Sequence, residues 1–240
     1  VREENGDGNK AGQRLARRIE SDILAAGHRP GRRLGSESEL IDRYDTSRTL
    51  LREAVRILEH DGMCEMRRGP GGGLHVADMD GEAVSHAAAL WLQFTDAPVE
   101  HLYEVREVLE PRCAAWAAER IDASGVERLR RCRQREETAI AAGDIEALNV
   151  AVNDFHVAIA ETANNTVARL FVKVLGELNR SYSGALTYSE AEIASVRRAH
   201  EAIADAIISG DSVSAAHRSL LHMRASGSFT QQQRDGGHRC

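Results

Sequence analysis

The chain has 240 residues, 42% hydrophobic and 28% charged, which excludes a disordered polymer and leaves room for one large or two ordinary domains. Only 4% of residues are aromatic and four are proline, so helix is favoured over sheet. The net charge of -6 excludes nucleic-acid binding by bulk charge, but residues 11–77 hold 12 Arg against 10 Asp plus Glu, a local balance of +2.

The cysteines at 64, 113, 132 and 240 are scattered with no CxxC pair, as expected of reduced thiols in a cytoplasmic protein. The longest apolar run, Ala87 to Leu92, is far shorter than the roughly 18 residues that span a bilayer, and no cationic-then-apolar leader is visible. No membrane partner is expected.

Residues 1–10 and 229–240 are polar and are expected to be loose. Leu15, Ile19, Ile23 and Leu24 recur at helical spacing, predicting a first helix over Gln13 to Ala26 that stops before Pro30-Gly31. Ser36 and Glu39 make the S-x-x-E capping box of a short second helix, Glu37 to Tyr44. After a turn of about three residues, Ser47 caps a third, Ser47 to His60.

On a helical wheel that third segment separates cleanly. Leu50, Leu51, Ala54, Val55, Ile57 and Leu58 share one side; Arg48, Thr49, Arg52, Glu53, Arg56, Glu59 and His60 fill the other. A helix with one face committed to a core and donors in its first two turns suits a DNA groove. Met63 to Arg67 and Leu74 to Val76 then read as a β-hairpin wing around RGPGGG. The ordinary reading is a solvated helix face and an exposed hairpin loop.

Ala77 to Gly81 reads as a hinge, and seven helix-patterned segments follow between Glu82 and Arg224, with Gly143-Asp144 and Gly210-Asp211 as stop-and-start breaks. The fold class is mostly α: a winged helix-turn-helix over 11–77, a hinge at 78–81, an all-α bundle of about seven helices over 82–228, and a tail at 229–240.

The first segment resembles the GntR-type winged helix-turn-helix. The family's Leu-Pro-Ser-Glu-x-Glu-Leu appears as Leu34 to Leu40 with Gly35 in place of Pro, and its Ser-Arg-x-x-x-Arg-Glu-Ala appears as Ser47 to Ala54. Ser38 stands where an Arg is common, Asp45 replaces Gly, and Leu50 replaces Pro. The resemblance implies operator DNA as partner. The candidate contacts are Ser36, Ser47, Arg48, Thr49 and Arg52 of the helix pair, and Arg67, Arg68 and Gly69 of the wing.

The later segment is similar to the helical effector domain called FCD, of the FadR subgroup, over about Leu102 to Arg224. The similarity is carried by Leu102 to Glu110, by Asp154-Phe-His156-x-x-Ile159-Ala160, and by His200 and Gly210-Asp211 leading to His222. It implies a homodimer, a small carboxylate effector, and a divalent metal of the Zn, Ni or Mn class on His156, His200 and His222. The family's usual fourth ligand, an Asp one turn before the first His, is here Val152. Asn153, a water or an effector carboxylate remain as candidates for that position.

Arg106 is a candidate effector anchor, the alternative being an ordinary i, i+4 pair with Glu110. Asn165 is another, the alternative being a helix cap. Two functions follow: an effector-controlled transcriptional repressor or, as the rival, a metal-dependent hydrolase using the three histidines. No residue is placed as general base beside them and no G-x-S-x-G motif occurs, which favours the non-enzymatic reading.

Overall fold

The computed structural model describes residues 4–27, 29–78, 81–183 and 188–237. Two compact units divide the chain, Val1–Ala83 and Val84–Cys240. Among the described residues no helix is long and apolar enough to cross a membrane.

In the first unit, α1 (Glu4–Ala25), α2 (Glu37–Tyr44) and α3 (Arg48–His60) enclose a core of Leu15, Ile19, Ile23, Leu40, Leu51, Val55 and Leu58. Leu51, Ala54, Val55 and Leu58 are buried as the wheel requires, while Leu50 and Ile57 sit at its margin. Ser36 and Glu39 form the reciprocal capping box, and Asp45 takes a left-handed conformation with φ 46° to stop α2.

Two features differ from the sequence expectation. Helix α1 already runs from Glu4 rather than Gln13, through a stretch expected to be loose. It is held by close approach to α3: a side chain at Gly12 would meet Glu53 Cδ at 2.5 Å. The second difference is an additional strand. β1 (Arg33–Gly35) joins β2 (Cys64–Arg67) and β3 (Gly73–Val76) in an antiparallel sheet of order β1-β3-β2. Gly73, at φ 131°, lets β3 pass the Gly35 carbonyl where a Cβ would come within 2.3 Å.

The second unit holds α4 (Glu82–Phe94), α5 (Val99–Arg120), α6 (Ala123–Ala142), α7 (Ile145–Thr162), α8 (Thr166–Ser183), α9 (Glu190–Ile208) and α10 (Ser212–Gly237). The predominantly α class and the bundle of seven helices agree with the sequence reading. Helix α5 packs against α7, α8, α9 and α10. Its small side chains Ala114, Ala117 and Ala118 allow close approach around Phe155, Ile159, Ile203 and Ile207.

Residues 229–237, expected to be a loose tail, continue α10. Buried Thr230 bonds to Tyr103, Phe229 stacks on Tyr188 at 5.2 Å, and Gly227 lets the helix approach the Tyr103 ring, where a Cβ would lie 3.0 Å from Cγ. Of the hinge expected at 78–81, Met79 and Asp80 lie outside the described residues, as do tail residues 238–240.

Candidate functional site

Two constellations carry chemistry. In the first unit, Ser47 caps α3 by accepting the Leu50 N–H at 3.2 Å, and Ser36 accepts the Glu39 N–H at 3.3 Å. Arg48, Thr49 and Arg52 are exposed along the start of α3. Glu37 of α2 accepts from Arg52 Nε at 2.8 Å and lies 3.8 Å from Arg48 Nε. The Arg52 hydrogen bond holds the Glu37 carboxyl below its usual range. Sequence reasoning did not single out Glu37, which hydrogen-bonds Arg52 and lies near Arg48.

The wing loop exposes Arg67, Arg68 and Gly69. Arg67 donates to Glu65 Oε1 at 2.8 Å through Nε. A side chain at Gly72 would strike the Arg67 carbonyl at 2.7 Å, so the loop can be this tight only with glycine there.

In the second unit, His156 (α7), His200 (α9) and His222 (α10) come together, all buried, with their ligand atoms within 4.8 Å of one another. The His156 and His222 rings are stacked at 5.3 Å, and His200 Nε2 lies 3.0 Å from His222 Nε2. The other nitrogens are fixed by carboxylates: His156 Nδ1 is 2.7 Å from Glu110 Oε2, and His200 Nδ1 is 2.7 Å from Glu136 Oε1. These carboxylate partners orient the rings and leave Nε2 facing the cluster, as metal-binding imidazoles require.

Burial pushes His200 and His222 well below the ordinary imidazole range, so their lone pairs stay available near neutrality. Burial also pushes Glu136 up to about 8, against the opposing charges of His156 and Arg133. For Glu110, burial pulls the same way but is outweighed by Arg106 and then His156, which hold its carboxyl far below the usual range. A three-histidine cluster capable of holding a divalent ion is therefore present, and its nitrogen donors suit a borderline metal.

The cluster opens on a cavity of about 380 Å³ lined by His156, His222, Arg106 and Glu136 among others. Val152 lines it too and adds no ligand atom; Asn153 lines it with its carboxamide packed over Gly176, where a Cβ would lie 2.1 Å from Oδ1. Arg106 is there as expected, but it is 3% exposed and its Nε donates to Glu110, so its charge is already matched. Asn165 does not line this cavity. Its Oδ1 accepts the Ala168 N–H at 3.0 Å, which makes it the cap of α8.

Sequence reasoning had Glu110 only as a salt-bridge partner and missed Glu136. A signal existed for the latter: the buried stripe of α6 is Gly125, Leu129, Cys132, Glu136 and Ala139, a carboxylate on an otherwise uncharged helical stripe.

Comparison with known proteins assigns a family to each segment. Residues 11–74 match the gntR family of bacterial regulatory proteins, and residues 101–225, more than half of the chain, match the FCD domain. The chain belongs to the GntR family of transcriptional regulators, in the group that carries an FCD domain. It is 30% identical over 65% of its length to the Uxu operon transcriptional regulator of Escherichia coli, of which it spans 59%. It is 27% identical over 81% of its length to the transcriptional regulator LutR of Bacillus subtilis, spanning 90% of it. With the galactonate operon transcriptional repressor of E. coli it shares 28% identity over 89% of its length and 93% of the relative's. A solved GntR protein of Streptococcus agalactiae superposes with a TM-score of 0.70 at 25% identity, over 90% of this chain and 99% of that one. Family and fold are those of transcription factors, not of enzymes, which removes the hydrolase reading.

Proposed function

We propose that this regulator is a cytoplasmic repressor that binds a palindromic operator as a homodimer and releases it on binding a small carboxylate held partly through a divalent metal. Residues 11–77 read DNA, 82–228 bind effector and pair the protomers, and the 78–81 segment couples them. The observation that carries the reading is the second unit's arrangement: three buried histidines, two of them oriented by carboxylates, at the edge of a cavity. No anionic ligand stands at Val152. A carboxylate oxygen from the effector supplies the missing position and the negative charge.

The name of the galactonate operon repressor supports repression tied to an organic acid. A single helix-turn-helix reads only a half-site, which supports pairing. The exposed Trp91 and Phe94 of α4 also support self-association. Ser36, Ser47 and Thr49 bind phosphate, Arg48 and Arg52 reach base edges, and Arg67, Arg68 and Gly69 follow the adjacent backbone.

The test is selection of bound sequences from a random duplex library, followed by gel shift. Wild-type protein is expected to enrich a two-fold symmetric site. Arg52→Ala is expected to lose about 1–3 kcal/mol of specific affinity, roughly 5- to 150-fold. Enrichment of no sequence, or unchanged affinity of the variant, overturns the assignment.

A further inference from the structure

We infer that His75 is a positioning residue of the wing: in its protonated form it bridges the Gly31 and Gly71 carbonyls, fixes the loop that carries Arg67, Arg68 and Gly69, and makes DNA affinity rise as pH falls. This rests on the wing contacts proposed above and adds their regulation by protons.

A side chain built at Gly69 or Gly71 would meet nothing within 4 Å, so at these two positions the loop is open. Its hold lies at the base. There the Gly72 N–H donates to the Gly69 carbonyl at 2.9 Å, Arg33 Nε donates to the Gly72 carbonyl at 3.0 Å, and His75 Nε2 lies 3.3 Å from the Gly71 carbonyl. The other ring nitrogen, Nδ1, lies 3.2 Å from the carbonyl of Gly31, in the segment that leads from α1 into β1. His75 itself is buried on the central strand β3.

Both ring nitrogens therefore face carbonyl oxygens, which only accept. A neutral imidazole has one N–H and donates to one of them, while its second nitrogen turns a lone pair on the other. An imidazolium donates to both, and a charged donor makes the stronger bond. Whichever tautomer the neutral ring adopts, the link from Gly31 through the ring to Gly71 is broken. The bridge is complete in the protonated state and is lost as pH rises through the range in which imidazoles titrate, about pH 5 to 8.

The neighbouring charges leave this switch to the imidazole. Arg33 lies opposite His75 on β1, and Glu65 lies opposite it on β2. Arg33 donates to Glu39 at 2.7 Å and Arg67 Nε donates to Glu65 at 2.8 Å, so each carboxylate is engaged by an arginine. Glu39 is held at about 2, first by the Ser36 N–H, and stays ionised throughout that range. Arg29 and Arg32 border the Gly31 segment and Arg68 lies in the wing loop; as arginines they stay cationic. A loop fixed beforehand gives up less conformational freedom on meeting a phosphate backbone, so the bridged form binds DNA more tightly.

The test uses the full chain and the duplex enriched from the random library, by fluorescence anisotropy at constant ionic strength. Wild type is expected to bind at least about fivefold tighter at pH 6 than at pH 8, beyond the change shown by His75→Gln and His75→Phe. Circular dichroism confirms the fold of each variant. Both variants keep the exposed His60 of α3, so their remaining pH dependence is the baseline. Long-range 1H–15N correlation spectra of the free protein are expected to show both His75 ring nitrogens protonated at pH 6 and one at pH 8, the resonances being those that His75→Gln lacks. Equal pH dependence in wild type and variants, or a single protonated ring nitrogen at pH 6, overturns the bridge. Arg68→Ala separates the two readings. If it binds as tightly as wild type at pH 6, the wing contacts fall and the regulation falls with them; if it binds more weakly while wild type and the His75 variants share one pH dependence, the bridge falls and the wing contacts stand.

Discussion

Glu136 shows what a single buried carboxylate does here. It reaches from α6 to the Nδ1 of a histidine on α9, so the ring orientation of His200 depends on a carboxyl carried by another helix. Glu136→Gln keeps the size but replaces the carboxyl that faces His200 Nδ1 with a carboxamide. Zn2+ affinity, read by chelator competition, is expected to fall about 10- to 100-fold. Unchanged affinity would show that packing alone holds His200. The histidines themselves were legible in the sequence, since each lies in a family motif on a helical segment. Glu110 and Glu136 were less so, because a charged residue on a helix reads as solvent-facing until its stripe is known. Asn165 was readable either as an effector contact or as a helix cap, and its hydrogen bond to the Ala168 N–H makes it a cap.

Elements whose hydrophobic period is regular and whose caps are local were readable. The α2 and α3 pair is the clearest case, since Ser36 with Glu39, and Ser47 with the Leu50 N–H, specify each start locally. Strand β1 was not, because three residues carry no alternation and exist as a strand only through β3, which pairs Arg33 with His75. The end of α10 was hidden similarly. Its residues look polar, and what orders them is Tyr103, on a helix far away in sequence.

The capping box also carries a pH dependence. Glu39 is held at about 2, first by the Ser36 N–H and then by Arg33, against an ordinary value of 4.5. A folded-state value below the unfolded one means the stabilisation is full above about pH 4.5 and is lost as pH falls toward 2. Melting temperatures of wild type and Glu39→Gln are therefore expected to differ at pH 6 and converge near pH 2. A constant difference across that range would remove the carboxylate from the explanation.

For the whole molecule, the two units have separate hydrophobic cores, and the proposed function gives DNA recognition to one and ligand chemistry to the other. The proposed metal and effector sites both lie in the second unit. Zn2+ with a saturating carboxylate is expected to raise the melting of that unit, by about 2.7 kcal/mol at a ligand concentration 100 times Kd. Differential scanning calorimetry with and without chelator reads this directly. An equal rise for the carboxylate with the metal stripped away would show that the ion is not part of the effector site.

The grip of Glu37 on Arg52, and its reach to Arg48, has a consequence for how the protein searches DNA. An arginine already steadied in one rotamer gives up less conformational freedom when it meets a base. It also has a standing acceptor to leave. A guanine edge offers two acceptors in the fork geometry and replaces that partner well; a stray phosphate or a mismatched base replaces it less well. With the proposed base contacts, the acidic side chain beside α3 is expected to shorten the dwell time on wrong sequences, and the mild charge of the domain becomes an advantage for discrimination.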